Sequence, residues 1–262
     1  MSIKNIFSLA ASIIKLFIIY FLLLINSNAE KNNIKQYSND EGVLSIMYHR
    51  FNENKYPSTN IKVDIFKKQL ELIEDSNIEY YDPSKFDDEF YDPKKNHKIL
   101  ITIDDAFTSF YENAWPILKE KKIPFILFVS TEPVGKPGYM NWEQIKEISS
   151  YEFAYIGNHS HSHEYLLEFS YGEFEKDIRN SIKIFKEKLG YNPIFFSYPF
   201  GEYNLKQTKF IKNNFKYGFG QHSGVIDSTK DRFELPRFPI NEKYGDLERF
   251  KFILKLFPIP YK

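Results

Sequence analysis

Short apolar runs recur along the chain, each closed by polar or turn-forming residues. They are Val43 to Tyr48, Ile99 to Ile103, Ile123 to Val129, Phe153 to Gly157, Ile194 to Ser197, Tyr217 to Gln221 and Leu235 to Ile240. Runs this short and this rich in β-branched and aromatic residues predict buried strands. Between them the apolar positions recur at three and four, the helical period. Ile65, Phe66, Leu70, Leu72 and Ile73 predict a helix over Ile61 to Asn77. Phe174, Ile178, Ile182, Phe185 and Leu189 predict a longer one over Tyr171 to Gly190, with Gly190 as its stop. Further helices are expected over Thr108 to Lys119 (with Pro116 inside), Trp142 to Ser149, Tyr203 to Phe215 and Gly245 to Phe257. Ile78 to Asp92 reads as a short strand with turns around Pro83 and Pro93. About seven strands alternating with helices predict a parallel sheet, closed or nearly so. No internal repeat is present.

The chemistry gathers where strands end. The Ile99 run leads into Asp104-Asp105, and barrel and open α/β folds place their sites at the C-terminal ends of strands. An Asp pair capping the next helix is the alternative. The Phe153 run ends in Asn158-His159-Ser160-His161-Ser162-His163, which holds three of the six histidines. A solvated polar loop would also account for them. Histidines four apart across a strand-to-helix turn can aim both imidazoles at one ion. A carboxylate would complete the set and leave coordination positions open. The Val43 run likewise ends in a histidine, His49.

Thr102-Ile103-Asp104-Asp105-Ala106 resembles the T-F-D-D-G motif of the polysaccharide deacetylases (carbohydrate esterase family four, the NodB-homology domain). His159 to His163 fits their H-[S/T]-x-x-H. Ser197-Tyr198-Pro199-Phe200-Gly201 is similar to R-x-P-Y-G, without its arginine. The resemblance runs over nearly all of the chain after about residue 40. It implies an α/β fold, an incomplete (β/α)7 barrel of NodB-like type, as a single domain over residues 42–262. It further implies that Asp105, His159 and His163 bind a divalent metal, zinc first among candidates, and that Asp104 is the general base. An oxyanion and substrate contact is expected near Tyr198 and Pro199. His161 is the alternative ligand, because a His-x-His pair also chelates.

Three departures from the family pattern stand out. Ser197 occupies the place of the arginine that orients the base, and Arg237 is the candidate replacement; a surface or structural arginine is the other reading. Ala106 replaces a glycine, a minor change if its φ is negative. The late L-x-H motif that supplies the acid has no histidine, since Leu235-Pro236-Arg237 ends in arginine. Met47-Tyr48-His49 matches it better, resembling the permuted order of the poly-N-acetylglucosamine deacetylase branch. His49 is therefore the expected general acid, with His222 in Gly220-Gln221-His222-Ser223-Gly224 as its competitor.

Charge is balanced, 35 basic against 35 acidic residues, and gives no basic excess for nucleic acid. There are no cysteines, so the fold must rest on its core or a metal. Residues 1–29 read as a signal peptide or an N-terminal anchor: two lysines, an apolar core from Leu16 to Ile25, then Asn26-Ser27-Asn28-Ala29. Residues 30–41 read as a loose lead-in. The expectation is an exported, periplasmic or cell-envelope enzyme, touching membrane only through an uncleaved leader. It would be a metal-dependent N-deacetylase of an N-acetylated polysaccharide, one containing N-acetylglucosamine. The alternatives are a glycan-binding pseudoenzyme with a structural metal and a hydrolase of another cell-wall amide.

Overall fold

The computed structural model describes residues 34–36, 42–76, 78–89, 98–254 and 256–258. The leader over residues 1–29, most of the lead-in and the turn at Pro93 lie outside the described residues. Residues 38–254 make one compact unit. A smaller unit draws on both chain ends, where Ile34–Gln36 pairs antiparallel with Leu256–Pro258.

The larger unit is built on one parallel sheet. Its strands are β1 (Val43–Tyr48), β2 (Glu79–Tyr80), β3 (Lys98–Ile103), β4 (Phe125–Val129), β5 (Ala154–Asn158), β6 (Phe195–Ser197), β7 (Tyr217–Phe219) and β8 (Phe238–Pro239). Their order is β7-β6-β5-β4-β3-β1-β8, with β2 beside the foot of β3. The N-terminal strand β1 thus lies inside the sheet, paired along its whole length with β3. Residues 226–239 reach both edges. Leu235 bridges to Phe219 on β7, Phe238 pairs with Ile46 on β1, and Ile226 bridges to Val43. The result is the expected curled α/β half-barrel. Its closing strand is shorter than the expected Leu235 to Ile240, because Pro236 and Pro239 have no N–H to give a ladder.

Alternation along the strands divides the core. Val43, Leu100, Ile126, Phe128, Phe195, Tyr217, Phe219 and Leu235 form one cluster with Tyr81 and Phe86 from the segment after β2. Phe196 and Tyr198, of opposite parity to Phe195, instead join Phe174, Ile178, Phe210 and Ile211 under the helices. Gly157 in β5 is required by this packing, since a Cβ there would sit 2.3 Å from a ring carbon of Phe128.

The helices longer than four residues are α1 (Val63–Asp75), α2 (Thr108–Asn113), α3 (Trp115–Lys121), α4 (Trp142–Ser149), α5 (Tyr171–Leu189), α6 (Leu205–Lys212) and α7 (Leu247–Ile253). The expected helix over Thr108 to Lys119 divides at Ala114. Pro116 then falls in the first turn of α3, where a missing N–H costs nothing. Ser170 and Glu173 form a reciprocal capping box at the start of α5, and Gly190 ends it at φ 84°.

Candidate active site

Where β3 ends, the chain turns sharply. Asp105 and Ala106 take φ 74° and 54°. Among the described residues seven non-glycines have positive φ, and five of them (Asp105, Ala106, Ser160, His163, Phe200) belong to the three strand-end segments. Such strain persists only where surrounding structure enforces it. The glycine-to-alanine departure at 106 is therefore not neutral, since its φ is positive. The Asp pair does not cap α2 either: Phe107 holds the N-cap position and no side chain caps it.

Asp104 is wholly buried, and Arg237 grips it with two parallel bonds, Nη1 to Oδ1 at 2.7 Å and Nη2 to Oδ2 at 2.8 Å. The other three guanidinium donors go to the Gly220 carbonyl, Thr102 Oγ1 and Ser197 Oγ. All five N–H groups of a fully buried Arg237 are thus engaged. Ser197 Oγ also donates to Asp104 Oδ2 at 3.4 Å. Burial would raise the pKa of Asp104, but the guanidinium outweighs it and holds the carboxyl below its usual range.

Asp105, His159 and His163 offer three ligand atoms within 4.8 Å of one another, and they are the only such group among the described residues. His159 donates from Nδ1 to the Ser197 carbonyl at 2.7 Å, which leaves Nε2 as a lone pair facing Asp105 Oδ1 at 3.5 Å. His163 Nε2 lies 3.0 Å from the same oxygen. Asp105 Oδ1 is buried yet accepts no aligned hydrogen bond. A buried acceptor without a donor, ringed by two imidazole nitrogens, fits a divalent cation. Burial pushes the His159 pKa down to about 4, against the pull of Asp104, so its imidazole is neutral and ready to ligate. Burial also opposes the charged form of His163, but Asp105 outweighs it and raises that pKa. Asp105 itself is desolvated, yet the histidines hold its carboxyl well below the ordinary range.

The comparisons with known proteins agree with this geometry. Residues 91–217 match the family profile described as polysaccharide deacetylase. The chain carries a polysaccharide deacetylase domain. It is 23% identical over 256 residues to the poly-β-1,6-N-acetyl-D-glucosamine N-deacetylase of Staphylococcus epidermidis, covering 83% of this chain and 85% of that protein. Two solved structures share the fold. IcaB from Ammonifex degensii has a TM-score of 0.73 at 23% identity, over 82% of this chain and 98% of that one. The deacetylase PplD of Streptococcus pyogenes has a TM-score of 0.72 at 22% identity, over 81% and 98%.

The remaining expected residues of the deacetylase domain fall into two groups. His49 follows β1 at the rim, half-buried and within electrostatic reach of both Asp104 and Asp105. His222 is exposed, and its carbonyl accepts the Arg237 backbone N–H. His161 turns aside, with Nδ1 2.8 Å from Thr131 Oγ1. For the oxyanion contact expected near Tyr198 and Pro199, neither residue's own backbone can donate. The Tyr198 N–H is spent on the Phe219 carbonyl, its ring is buried beneath the helices, and proline has no N–H. Phe200, next in the chain, is half-exposed and stands over His163 with ring centroids 5.1 Å apart.

Sequence reasoning did not single out the residues that hold the histidine loop. The Asp177 carboxylate on α5 accepts the N–H groups of His161 and Ser162, at 2.8 and 2.9 Å. Asn158 accepts from the Ser160 N–H and donates to Ser181. The position of Asp177 on the buried face of a helix, among Phe174, Ile178 and Ser181, was the available signal.

Proposed function

We propose that this chain is an exported, metal-dependent N-deacetylase of an N-acetylglucosamine polymer. The observation that carries it is a fully buried carboxylate, Asp104, fixed by Arg237 beside a three-ligand group it does not belong to. A structural metal site needs ligands, not an adjacent oriented base. Named relatives that deacetylate poly-N-acetylglucosamine support the substrate class.

Asp105, His159 and His163 would hold the ion, zinc being the first candidate from a carboxylate and two imidazoles. When bound, a divalent metal supplies a water acidified towards neutrality and a Lewis acid for the acetamide carbonyl. Asp104 takes the proton of the attacking water. Arg237 keeps that carboxylate ionised and in one orientation, so no rotamer search precedes the transfer. The Ser197 carbonyl fixes the His159 tautomer with its lone pair on Nε2. His49, close to both carboxylates, gives the proton to the departing amine. Export rests on the leader-like residues 1–29. Among the described residues no helix is long and apolar enough to cross a membrane.

Purified, metal-loaded protein should release acetate from N-acetylglucosamine oligomers, lose that activity on chelation and regain it with a divalent ion. His49→Ala should slow the amide by roughly 10²-fold or more, and slow an activated acetate ester less. Metal-loaded protein that releases no acetate from any such oligomer would exclude the proposed activity.

A further inference from the structure

We infer that Arg50 is a positioning residue: stacked flat on Phe107, its guanidinium locks the segment that carries His49 to the turn that carries Asp105. The inference rests on the roles proposed above for those two residues and adds the group that keeps them at one spacing.

His49 needs such help. Among the described residues its imidazole makes no hydrogen bond, although it has to aim at one departing amine. Its place is therefore set through its two chain neighbours. On one side, the Tyr48 carbonyl accepts the Asp104 N–H at 2.9 Å. On the other, the Arg50 N–H bonds the Thr59 carbonyl at 3.0 Å, and the Arg50 side chain crosses to the Asp turn. Its guanidinium carbon lies 3.4 Å from the ring centroid of Phe107 and 4.2 Å from that of Tyr56. Nη1 bonds Glu53 Oε2 at 2.7 Å, and only 14% of the side chain is exposed. A planar cation between two rings, tied at one end to a carboxylate, has little freedom to turn.

Both ends of this clamp are themselves anchored. Phe107 closes the turn in which Asp105 and Ala106 hold φ 74° and 54°. The Ala106 carbonyl accepts the Met140 N–H at 2.9 Å, and the Thr108 N–H donates to the Gly138 carbonyl at 2.9 Å. The Phe107 ring also meets Tyr139, centroids 4.9 Å apart. Residues 138–140 thus hold the strained turn by its backbone, while Arg50 holds it by its ring. Left-handed strain persists only where neighbours over-determine it in this way. On the Arg50 side, the Glu53 N–H bonds Asn60 Oδ1, and Asn60 Nδ2 donates to Glu242 Oε1 beyond β8. A displacement on the order of 1 Å at a reacting group can cost about 10²-fold in rate. Slack between the two segments would therefore be felt in proton transfer before it was felt in binding.

The test is steady-state acetate release by metal-loaded wild-type protein, Arg50→Ala, Phe107→Leu and the double variant. The substrates are an N-acetylglucosamine pentamer and an activated acetate ester, and metal content and Tm are measured on each protein. Arg50→Ala should lower kcat on the amide about tenfold or more and leave KM nearly unchanged. It should cost much less on the ester, whose leaving group needs little protonation. Phe107→Leu keeps an apolar side chain but not the flat face, and should reproduce that pattern. The double variant should lose no more than the worse single one, because both changes remove the same contact. Arg50→Lys keeps the charge without the plane. It should show the same amide-selective loss in smaller measure, and it carries the test if the alanine variant does not fold. All of these proteins should bind about one ion per chain. Equal losses on amide and ester overturn the inference, as do additive losses in the double variant or a change confined to KM. An active wild type matched by Arg50→Ala removes this inference alone, whereas wild-type protein that releases no acetate from the pentamer removes the functional proposal with it.

Discussion

A buried ion pair is a poor source of stability but a severe liability when half of it is removed. Asp104 and Arg237 are both wholly buried, and every guanidinium donor has a partner. Asp104→Asn would keep the shape of the side chain and leave a desolvated cation facing an amide. It should therefore abolish most acetate release and also cost roughly 3–5 kcal/mol of stability. Arg237→Met strands the carboxylate and should cost a similar amount. The double variant removes both charges and should recover much of the loss, by a coupling well above the few tenths of a kcal/mol seen between independent sites. Urea unfolding of the four proteins measures this; additive losses would mean that the two groups do not compensate each other. The pair also shows what a sequence hides. The motif places Ser197 where a guanidinium is expected, and the guanidinium arrives 40 positions later from the segment that leads into β8. Parity was the readable clue: Leu235 faces the interior cluster, so Arg237, two residues on, enters from the same side. Its bidentate geometry was not readable, because it depends on how the sheet curls.

At the level of elements, strand ends supply the proposed ligands and one helix keeps their loop in place. The run from His159 to His163 contains two positive-φ residues, Ser160 and His163, and its backbone bonds to residues 129–132 end at the His161 carbonyl. Asp177, buried on α5, takes the N–H groups of His161 and Ser162. Asp177→Ala should free the loop, leave the first ligand His159 on its strand, and misplace His163. Metal affinity should fall by about 10–100-fold, the usual cost of losing a support behind a ligand. Competition with a chromogenic chelator reads this directly, and an affinity within twofold of wild type would show that the loop is self-supporting. The strands and the long helix α5 were legible because burial imposes period two or three to four on whole segments. Local exceptions were not. The helix after β3 breaks at Ala114, a residue with high helix propensity, because Pro116 starts a new helix there. That Tyr198 has no N–H to spare for an oxyanion was hidden for a similar reason: its backbone pairing with Phe219 is a register fact, invisible in a motif.

Across the whole molecule the sheet wraps so that segments far apart in sequence meet at one rim. His49 comes from the N-terminal strand, Arg237 from the closing segment, and β1 lies between β3 and β8. No disulfide braces this arrangement, so an ion gripped by ligands from β3 and β5 would tie the rim together. A ligand that binds only the folded state adds stability in proportion to the logarithm of its concentration over Kd, about 4 kcal/mol at a thousandfold excess. Protons compete for the same atoms, and the two histidines do not compete equally. His159, with its pKa pushed down to about 4, carries no proton to displace near neutrality. His163, whose pKa Asp105 raises, must give one up. Metal binding should therefore release about one proton rather than two, and Kd should rise about tenfold per pH unit once the pH falls below the raised His163 value. In metal-free protein His163 works in the opposite sense. Its raised pKa means that the pair with Asp105 adds stability that is fully present below the ordinary histidine value of about 6.5 and lost as pH rises through the raised one. The Tm gained on adding zinc should consequently be largest above that value and shrink steadily on acidification. Calorimetry with and without zinc from pH 8 down to pH 5 measures the difference. A gain independent of pH, or a slope of two protons, would show that the histidines do not divide in this way.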